Sequence, residues 1–447
     1  MKVYFQSLGC PKNLVDSEVM LGLLAQAGAE FVLDPAAADV CVVNTCAFVE
    51  AAKKESIDAI LELGRHKELD PGKKIVVTGC LAQRYGPELA GLLPEVDAFL
   101  GTGDFPRLTD LLEGRYPNLP SRYGRPAHFL PDLGLPRLRT GPFFSAYLKV
   151  SEGCNRRCSF CIIPKIRGRQ RSRPLDSILE EAERLAADGV VEVNLVAQDL
   201  TAYGRDLREG VGLARLVREL ARVEGIAWIR LLYLYPSAID TELLRAIAEE
   251  PRVCPYVDVP LQHASDRVLR RMRREKSGAA LRRLVARIRN EIPGVAIRTT
   301  FLVGFPGETE EDFEILLDFV REARFDRLGV FPYSAEEGTE AASFPDQVPK
   351  KVARARLRRL VEEQARISAE QNAAMVGSAV TVLVCGEDER GRLYGRLATQ
   401  APEVDGVVYL RGTARPGSFV RARIDRASTY DLWARVEDRV DTGAPAL

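Results

Sequence analysis

Three cysteines stand close together in the string CNRRCSFC: Cys154, Cys158 and Cys161. This CxxxCxxC spacing lets a single loop wrap a metal centre. A structural zinc asks for a fourth Cys or His nearby, and residues 162–181 supply none. Three thiolates on a 4Fe-4S cluster would instead leave one iron without a protein ligand, open to chelation by a small molecule. The spacing favours the cluster, with zinc or a reduced structural set as the alternatives.

A second triad is scattered along the chain. Cys10, Cys46 and Cys80 end the strings SLGC, VVNTC and VVTGC, each following an apolar run. In an open parallel sheet the carboxyl ends of the strands converge on one crevice, so these thiols can meet and hold a second cluster. The alternative is three buried free cysteines, a common fate of a small apolar side chain. Cys41, Cys254 and Cys385 lie within or beside apolar segments without that placement and read as structural. The total of nine cysteines is odd, so they cannot all pair within one chain.

The elements that must position these residues follow from hydrophobic periodicity. Strands at 3–8, 40–43 and 75–77 alternate with helices at 16–27 and 50–63, which predicts an open parallel α/β sheet. A second series, with strands at 146–150, 191–197, 228–232, 256–260, 297–303 and 328–331, predicts a partial TIM-type (β/α)6 barrel. Residues 350–375 predict an exposed connecting helix, and strands at 380–384, 393–396, 407–410 and 419–424 a small all-β, OB-like barrel. The expected divisions are 1–115, a linker at 116–140, 141–350, 351–376 and 377–440. The linker is expected to close over the gap between domains.

Chemistry in such a barrel belongs on the carboxyl ends of the strands. Ser151 and Glu152, Gln198 and Asp199, Tyr233 and Tyr235, Gln262 and His263, and the run from Gly304 to Glu308 all fall there. Gly304 and Gly307 would let backbone approach a ligand closely, although a Gly-Pro-Gly turn alone is weak evidence.

With 447 residues, two to four domains of roughly 100–200 residues are expected. Lys+Arg and Asp+Glu both number 63, a net charge of zero that disfavours a non-specific nucleic-acid coat. No apolar run approaches a membrane span. Residues 1–10 read as strand and turn rather than a secretory leader, so a cytoplasmic protein is expected.

The CNRRCSFC motif resembles the radical S-adenosylmethionine (SAM) enzymes, whose open iron binds SAM and cleaves it to a 5′-deoxyadenosyl radical. Phe160 matches that family's aromatic position beside the adenine, and VGFPGET, with Gly304 and Gly307, the segment along the adenosyl group. The resemblance implies cofactor contacts for Glu152, Gln198, Asp199 and Gln262 as well. The N-terminal domain with its three cysteines, the barrel and a C-terminal module of the TRAM type together resemble the methylthiotransferases over nearly the whole chain. SLGCPKNLVDSE, SEGCNRRCSFCIIPKIRGRQRSRP, VAQDLTAYG, DVPLQHAS and TTFLVGFPGETEEDF are similar to the branch that modifies a ribosomal protein.

That resemblance implies two 4Fe-4S clusters, one on Cys154, Cys158 and Cys161 to cleave SAM and one on Cys10, Cys46 and Cys80 to carry sulfur. One SAM would methylate the sulfur and a second would supply the radical that takes hydrogen from the β-carbon of an aspartate. The implied substrate is the twelfth protein of the small ribosomal subunit, free or assembled. The expected electron donor is flavodoxin or ferredoxin, and the expected state a monomer. The sister branch that modifies a tRNA adenosine is the alternative, and a non-enzymatic Fe-S scaffold a third reading. Residues 377–434 carry eight arginines against seven carboxylates and no lysine, which favours a protein substrate. Arg392 and Arg396 are the exposed arginines expected to touch an acidic or ribosomal surface.

Overall fold

The computed structural model describes residues 1–112, 130, 134–207, 210–274 and 277–440. The chain begins with five parallel strands, β1 Lys2–Ser7, β2 Glu30–Phe31, β3 Val40–Thr45, β4 Lys74–Gly79 and β5 Ala98–Leu100. Their spatial order is β2-β1-β3-β4-β5. Strand β3 is buried on both faces: Cys41 and Val43 join one apolar cluster, Val40 and Val42 the other. A continuous β-branched run is what a covered parallel strand requires. Helices α1 Pro11–Gln26, α2 Glu50–Leu69 and α3 Cys80–Leu92 follow β1, β3 and β4. Helix α1 begins five residues before the predicted start because Pro11, whose φ is preset for a first turn, follows Cys10 as N-cap.

The central sheet runs through β6 Ser145–Lys149, β9 Glu192–Val196, β10 Trp228–Leu231, β11 Val253–Asp258, β12 Ala296–Val303 and β13 Arg327–Pro332, with β7 Ser151–Glu152 and β8 Arg171–Ser172 forming a short ribbon beside it. All six strands are parallel and neighbours in chain order, giving the expected partial barrel. The largest apolar cluster among the described residues packs the surrounding helices, with Ile178, Leu216 and Leu316, against these strands, with Leu148, Leu195 and Ile229.

The helix Lys350–Ala374 differs from the exposed connector expected of it. Leu360 and Ile367 are fully buried in the barrel's cluster. Arg356 is buried too, its Nη1 bonded to Glu308 Oε1 at 3.0 Å. Periodicity gave the helix correctly, but its many charges concealed one face that closes the barrel against β13.

Of the linker expected at 116–140, residues 116–129 and 131–133 lie outside the described residues. Residues 134–140 strap the first domain to the barrel. Arg137 bonds Glu18 of α1 at 2.6 Å and Glu181 of the helix Leu175–Ala187 at 2.6 Å.

The C-terminal segment is a closed five-stranded barrel, β14 Ala379–Glu387, β15 Leu393–Arg396, β16 Val408–Arg411, β17 Phe419–Ala427 and β18 Leu432–Val440. Strand β18, absent from the sequence reading, closes it by pairing with both β16 and β17. This module packs on the amino-terminal mouth of the central barrel, opposite the strand ends where chemistry is expected. Phe419 meets Trp228 edge-on at 4.9 Å, and the Tyr256 hydroxyl donates to Asp405 at 2.7 Å. Arg396 is therefore no docking residue: it is buried, with both terminal nitrogens on Glu192, which also accepts from Arg230 at 3.1 Å. Arg392 is exposed and paired with Asp388. No helix among the described residues is long and apolar enough to cross a membrane.

Burial by itself would raise the Glu192 pKa, but Arg396, Arg230 and the Ser145 hydroxyl outweigh it and hold the carboxyl well below the ordinary range. A depressed pKa stabilises the fold above the unfolded value, ~4.3, and that contribution is lost as the pH falls below it. Removing one partner of a buried pair typically costs about 3–5 kcal/mol. Arg396→Ala should therefore lose about 3 kcal/mol in denaturant unfolding at neutral pH, with the deficit shrinking on acidification below pH ~4. Arg392→Ala should leave the unfolding midpoint unchanged. Equal stability of the Arg396 variant and the parent would contradict the buried pairing.

Candidate active site

Strands β1, β3 and β4 are neighbours, and each is followed at its carboxyl end by one cysteine of the scattered triad. Cys10 caps α1, Cys46 follows β3 and Cys80 opens α3. Two glycines permit the approach. Gly79 has φ 93°, and a Cβ there would lie 2.3 Å from Asn44 Oδ1; one on Gly9, also at φ 93°, would lie 2.9 Å from the Cys46 Cβ. A side chain at either position would push the loops apart.

The thiols sense one another. Burial pushes Cys80 up to about 12, with Cys46 and Cys10 adding to the rise and Arg167 opposing it. Burial raises Cys46 as well. At Cys10 burial is outweighed by Lys12, Arg167 and the backbone N–H groups of Asn13 and Lys12, so its pKa falls. A metal ion, which binds thiolates, would take over this charge balance.

Cys154, Cys158 and Cys161 lie on the loop between β7 and β8. The Cys154 N–H donates to Gly168 O at 3.1 Å and the Cys161 N–H to Cys158 O at 3.1 Å. The Arg156 N–H and the Arg274 guanidinium approach the sulfurs of Cys154 and Cys158 at 3.4 and 3.6 Å. Burial, reinforced by the neighbouring thiols, pushes Cys161 up to about 12; burial also takes Cys154 to about 11. Among the described residues no three Cys, His, Asp or Glu side chains converge tightly enough to hold a single ion. A tetrairon cluster asks for a wider donor set, because each thiolate binds its own iron. Within each triad the thiols lie near enough to influence one another's ionisation.

A buried ionic bridge joins the two loops. Arg167, six residues after Cys161, directs Nη1 to Asp16 Oδ2 at 2.6 Å and Glu152 Oε2 at 3.3 Å. Its Nη2 reaches Asn13 Oδ1 at 3.0 Å and Cys80 Sγ at 3.3 Å. Lys149 completes the group, bonding Glu152 Oε2 at 2.7 Å and also Asp16. Sequence reasoning passed over Asp16, Lys149 and Arg167. Their signal was faint: charges beside cysteine motifs, with Asp16 133 and 151 residues from Lys149 and Arg167.

The bridge changes the reading of Glu152. Its Oε1 accepts from Gln198 and from the Gly153 N–H, its Oε2 from Lys149 and Arg167. Burial opposes ionisation, yet Lys149 and Arg167 hold its pKa down to about 2. Asp199 is engaged as well, by Arg156 Nε at 2.6 Å and the Thr201 hydroxyl. Gln198 keeps a buried Oε1 without a partner, as Ser151 keeps its Oγ, so polar capacity remains at the strand ends. Phe160 packs near Phe305, ring centres 6.5 Å apart. Gln262 and Tyr233 hold left-handed backbone at φ 74° and 64°, a strain of about 1–3 kcal/mol each that concentrates at functional sites.

Gly304 approaches the closing helix closely: a Cβ there would lie 2.4 Å from that of Ala353. At Gly307 it would meet the Arg271 guanidinium at 3.1 Å. His263 is buried with Nδ1 accepting from the Ser265 N–H, and burial lowers its pKa to about 3, so the ring is neutral.

Comparison with known proteins gives the family. Residues 2–101 match the model of an uncharacterized protein family, UPF0004, residues 148–320 that of the radical SAM superfamily, and residues 376–436 that of the TRAM domain. Among solved structures, a radical S-adenosylmethionine methyltransferase, TsrM, from Kitasatospora setae with tryptophan and a SAM analogue superposes with a TM-score of 0.56 at 16% identity, over 82% of this chain and 89% of that one. That likeness is one of fold. The ribosomal protein uS12 methylthiotransferase RimO of Geotalea uraniireducens (strain Rf4) is 52% identical over 437 residues, 96% of this chain and 97% of that protein. The protein of the same name from Anaeromyxobacter sp. (strain K) is 53% identical over 444 residues, 98% and 94% of the two chains. Identity of this depth, sustained across all three structural units, places the chain in the RimO family of radical SAM methylthiotransferases.

Proposed function

We propose that this chain attaches a methylthio group to the β-carbon of an aspartate of ribosomal protein uS12, using SAM as methyl and radical source. Cys154, Cys158 and Cys161 would hold one 4Fe-4S cluster and Cys10, Cys46 and Cys80 another. When bound, the first supplies the electron that cleaves SAM and the second the site that carries sulfur. The enzyme would act as a cytoplasmic monomer, reduced by a flavodoxin or ferredoxin.

The observation that carries this reading is the Arg167 bridge. An unactivated C–H bond yields to radical chemistry only if the hydrogen-abstracting centre and the sulfur donor address the same carbon, which requires two loops held in register. Arg167 leaves the cysteine loop of the barrel and bonds a cysteine of the N-terminal sheet. Asp16 and Glu152, one from each unit, neutralise Arg167 and Lys149. In a buried site such charges need fixed partners, so the bridge sets geometry more than it adds stability. Gln198 extends it toward the barrel rim through Glu152. The residues at the rim, including Phe160, Gln198, Asp199, Gln262, Gly304 and Gly307, would line the SAM pocket, with Glu152 as a strut beneath it.

The test is anaerobic turnover of reconstituted enzyme with uS12 and, separately, a tRNA pool, read by mass spectrometry. A methylthio mass on a uS12 aspartate is expected; modification of tRNA adenosine with uS12 untouched would overturn the assignment. Reconstituted enzyme should hold about eight irons, and a Cys154→Ala, Cys158→Ala, Cys161→Ala variant about half of that with SAM cleavage lost. The Cys10→Ala, Cys46→Ala, Cys80→Ala variant should cleave SAM yet form no methylthiolated product. Full product formation by it, with sulfide added, would refute the division of roles. Arg167→Gln should destabilise the apoprotein by about 3 kcal/mol, because Asp16 and Glu152 keep only Lys149. An unchanged denaturation midpoint would show the bridge to be dispensable.

A further inference from the structure

Lys12 is a cation in an unusual position. It is the second residue of α1, two past Cys10, and it is nine-tenths buried. Its ammonium sits over the ring of Tyr233, 3.2 Å from the centroid. Burying an ammonium is costly unless an anion pairs with it, and among the described residues no carboxylate lies within ion-pairing distance of Lys12. Its charge acts on the Cys10 thiol two residues away and on Asp258, a carboxylate already committed: one oxygen accepts from Arg298 and the other from the Tyr233 N–H, both at 2.9 Å.

The neighbouring arginines each have an acceptor. Arg156 bonds Asp199 and stacks 3.6 Å from the centre of the Tyr235 ring. Arg274 bonds Pro260 O and approaches Cys158, with Tyr235 4.2 Å away. Tyr235 therefore belongs to the loop of Cys154 and Cys158, whereas Tyr233 carries the lysine beside Cys10. The short segment 233–235, following β10, spans from one cysteine triad to the other.

Resting on the function proposed above, we infer that Lys12 is the carboxylate anchor of the substrate, pairing with the side chain of the aspartate whose β-carbon is modified. The carbon that must face both triads is bonded directly to that carboxyl group. An anion-binding group has to stand between the triads, beside the sulfur side, and Lys12, next to Cys10, is the cation at that place with no carboxylate partner among the described residues. The N–H groups opening α1 add to the same positive field. Tyr233, in its left-handed conformation, supports the ammonium from the barrel side and leaves its remaining donors for a carboxylate. Lys12 is thereby a specificity device, rejecting a neutral amide in the position of the acid.

Free carboxylates at this site have two sources, the substrate and SAM itself, and the experiment separates them. Reconstituted wild-type and Lys12→Met holoenzymes are titrated with uS12, with uS12 carrying asparagine at the modified position, and with SAM alone. Wild type should bind the aspartate form about ten- to a hundredfold more tightly than the asparagine form, as expected for a charge-assisted contact. Lys12→Met should erase that ratio, and Lys12→Arg should restore part of it. Both substrates meet the same protein, so a folding or cluster defect lowers both affinities and leaves the ratio readable. A variant that keeps the wild-type ratio, or one that loses SAM affinity while keeping the ratio, overturns the inference. Failure of wild type to modify uS12 at all would instead refute the proposed function on which it rests.

Discussion

One guanidinium organises this molecule. Arg167 collects Asn13 and Asp16 from the first helix, Cys80 from the start of α3 and Glu152 from the barrel, all of them buried. With Lys149 the group holds two positive and two negative charges, so it closes without net charge. Its planar fork satisfies several acceptors at once, which a lysine cannot do. Bridges of this kind earn their place through geometry: a shift of one loop would leave a buried charge unpaired, so the cysteine loops keep one mutual position.

The same logic recurs at the other end of the barrel. An open six-stranded sheet leaves two mouths exposed, and the chain covers each with a different unit. The N-terminal sheet meets the carboxyl rim through Arg167, Lys149 and Lys12. The C-terminal β-barrel seals the opposite mouth through Glu192, Arg396 and Arg230, with Trp228 and Phe419 packed beside them. Each seal holds a buried ion pair between residues far apart in sequence, Asp16 with Lys149 and Arg167 in one and Glu192 with Arg396 in the other. The C-terminal module is thus part of the structural core, and its distance from the carboxyl rim argues against Arg396 as a contact for substrate.

Much of this was legible in sequence where the signal is local or repeated. The spacing of Cys154, Cys158 and Cys161 is contained in one loop, and Cys10, Cys46 and Cys80 repeat one placement after three strands. Strand periodicity revealed the parallel sheet and the six barrel strands. Long-range pairing was not legible. Arg396 read as one of several surface arginines because its partner, Glu192, lies some two hundred positions earlier. Lys350–Ala374 read as solvated because its charges outnumber the few apolar residues that close the barrel. Gly304 read as room for a ligand, and its close approach to Ala353 of the closing helix was hidden. In each case the residue type was visible and the neighbour was not.

The central claim is that two iron centres sit on opposite sides of the Arg167 bridge, and anomalous diffraction at the iron edge from crystals of the anaerobically reconstituted enzyme tests it most directly. The expected map shows one anomalous peak enclosed by Cys154, Cys158 and Cys161, a second enclosed by Cys10, Cys46 and Cys80, and the Arg167 guanidinium in contact with Cys80 between them. Iron confined to one triad in fully loaded protein, or Arg167 turned away from Cys80 with both triads filled, would contradict it.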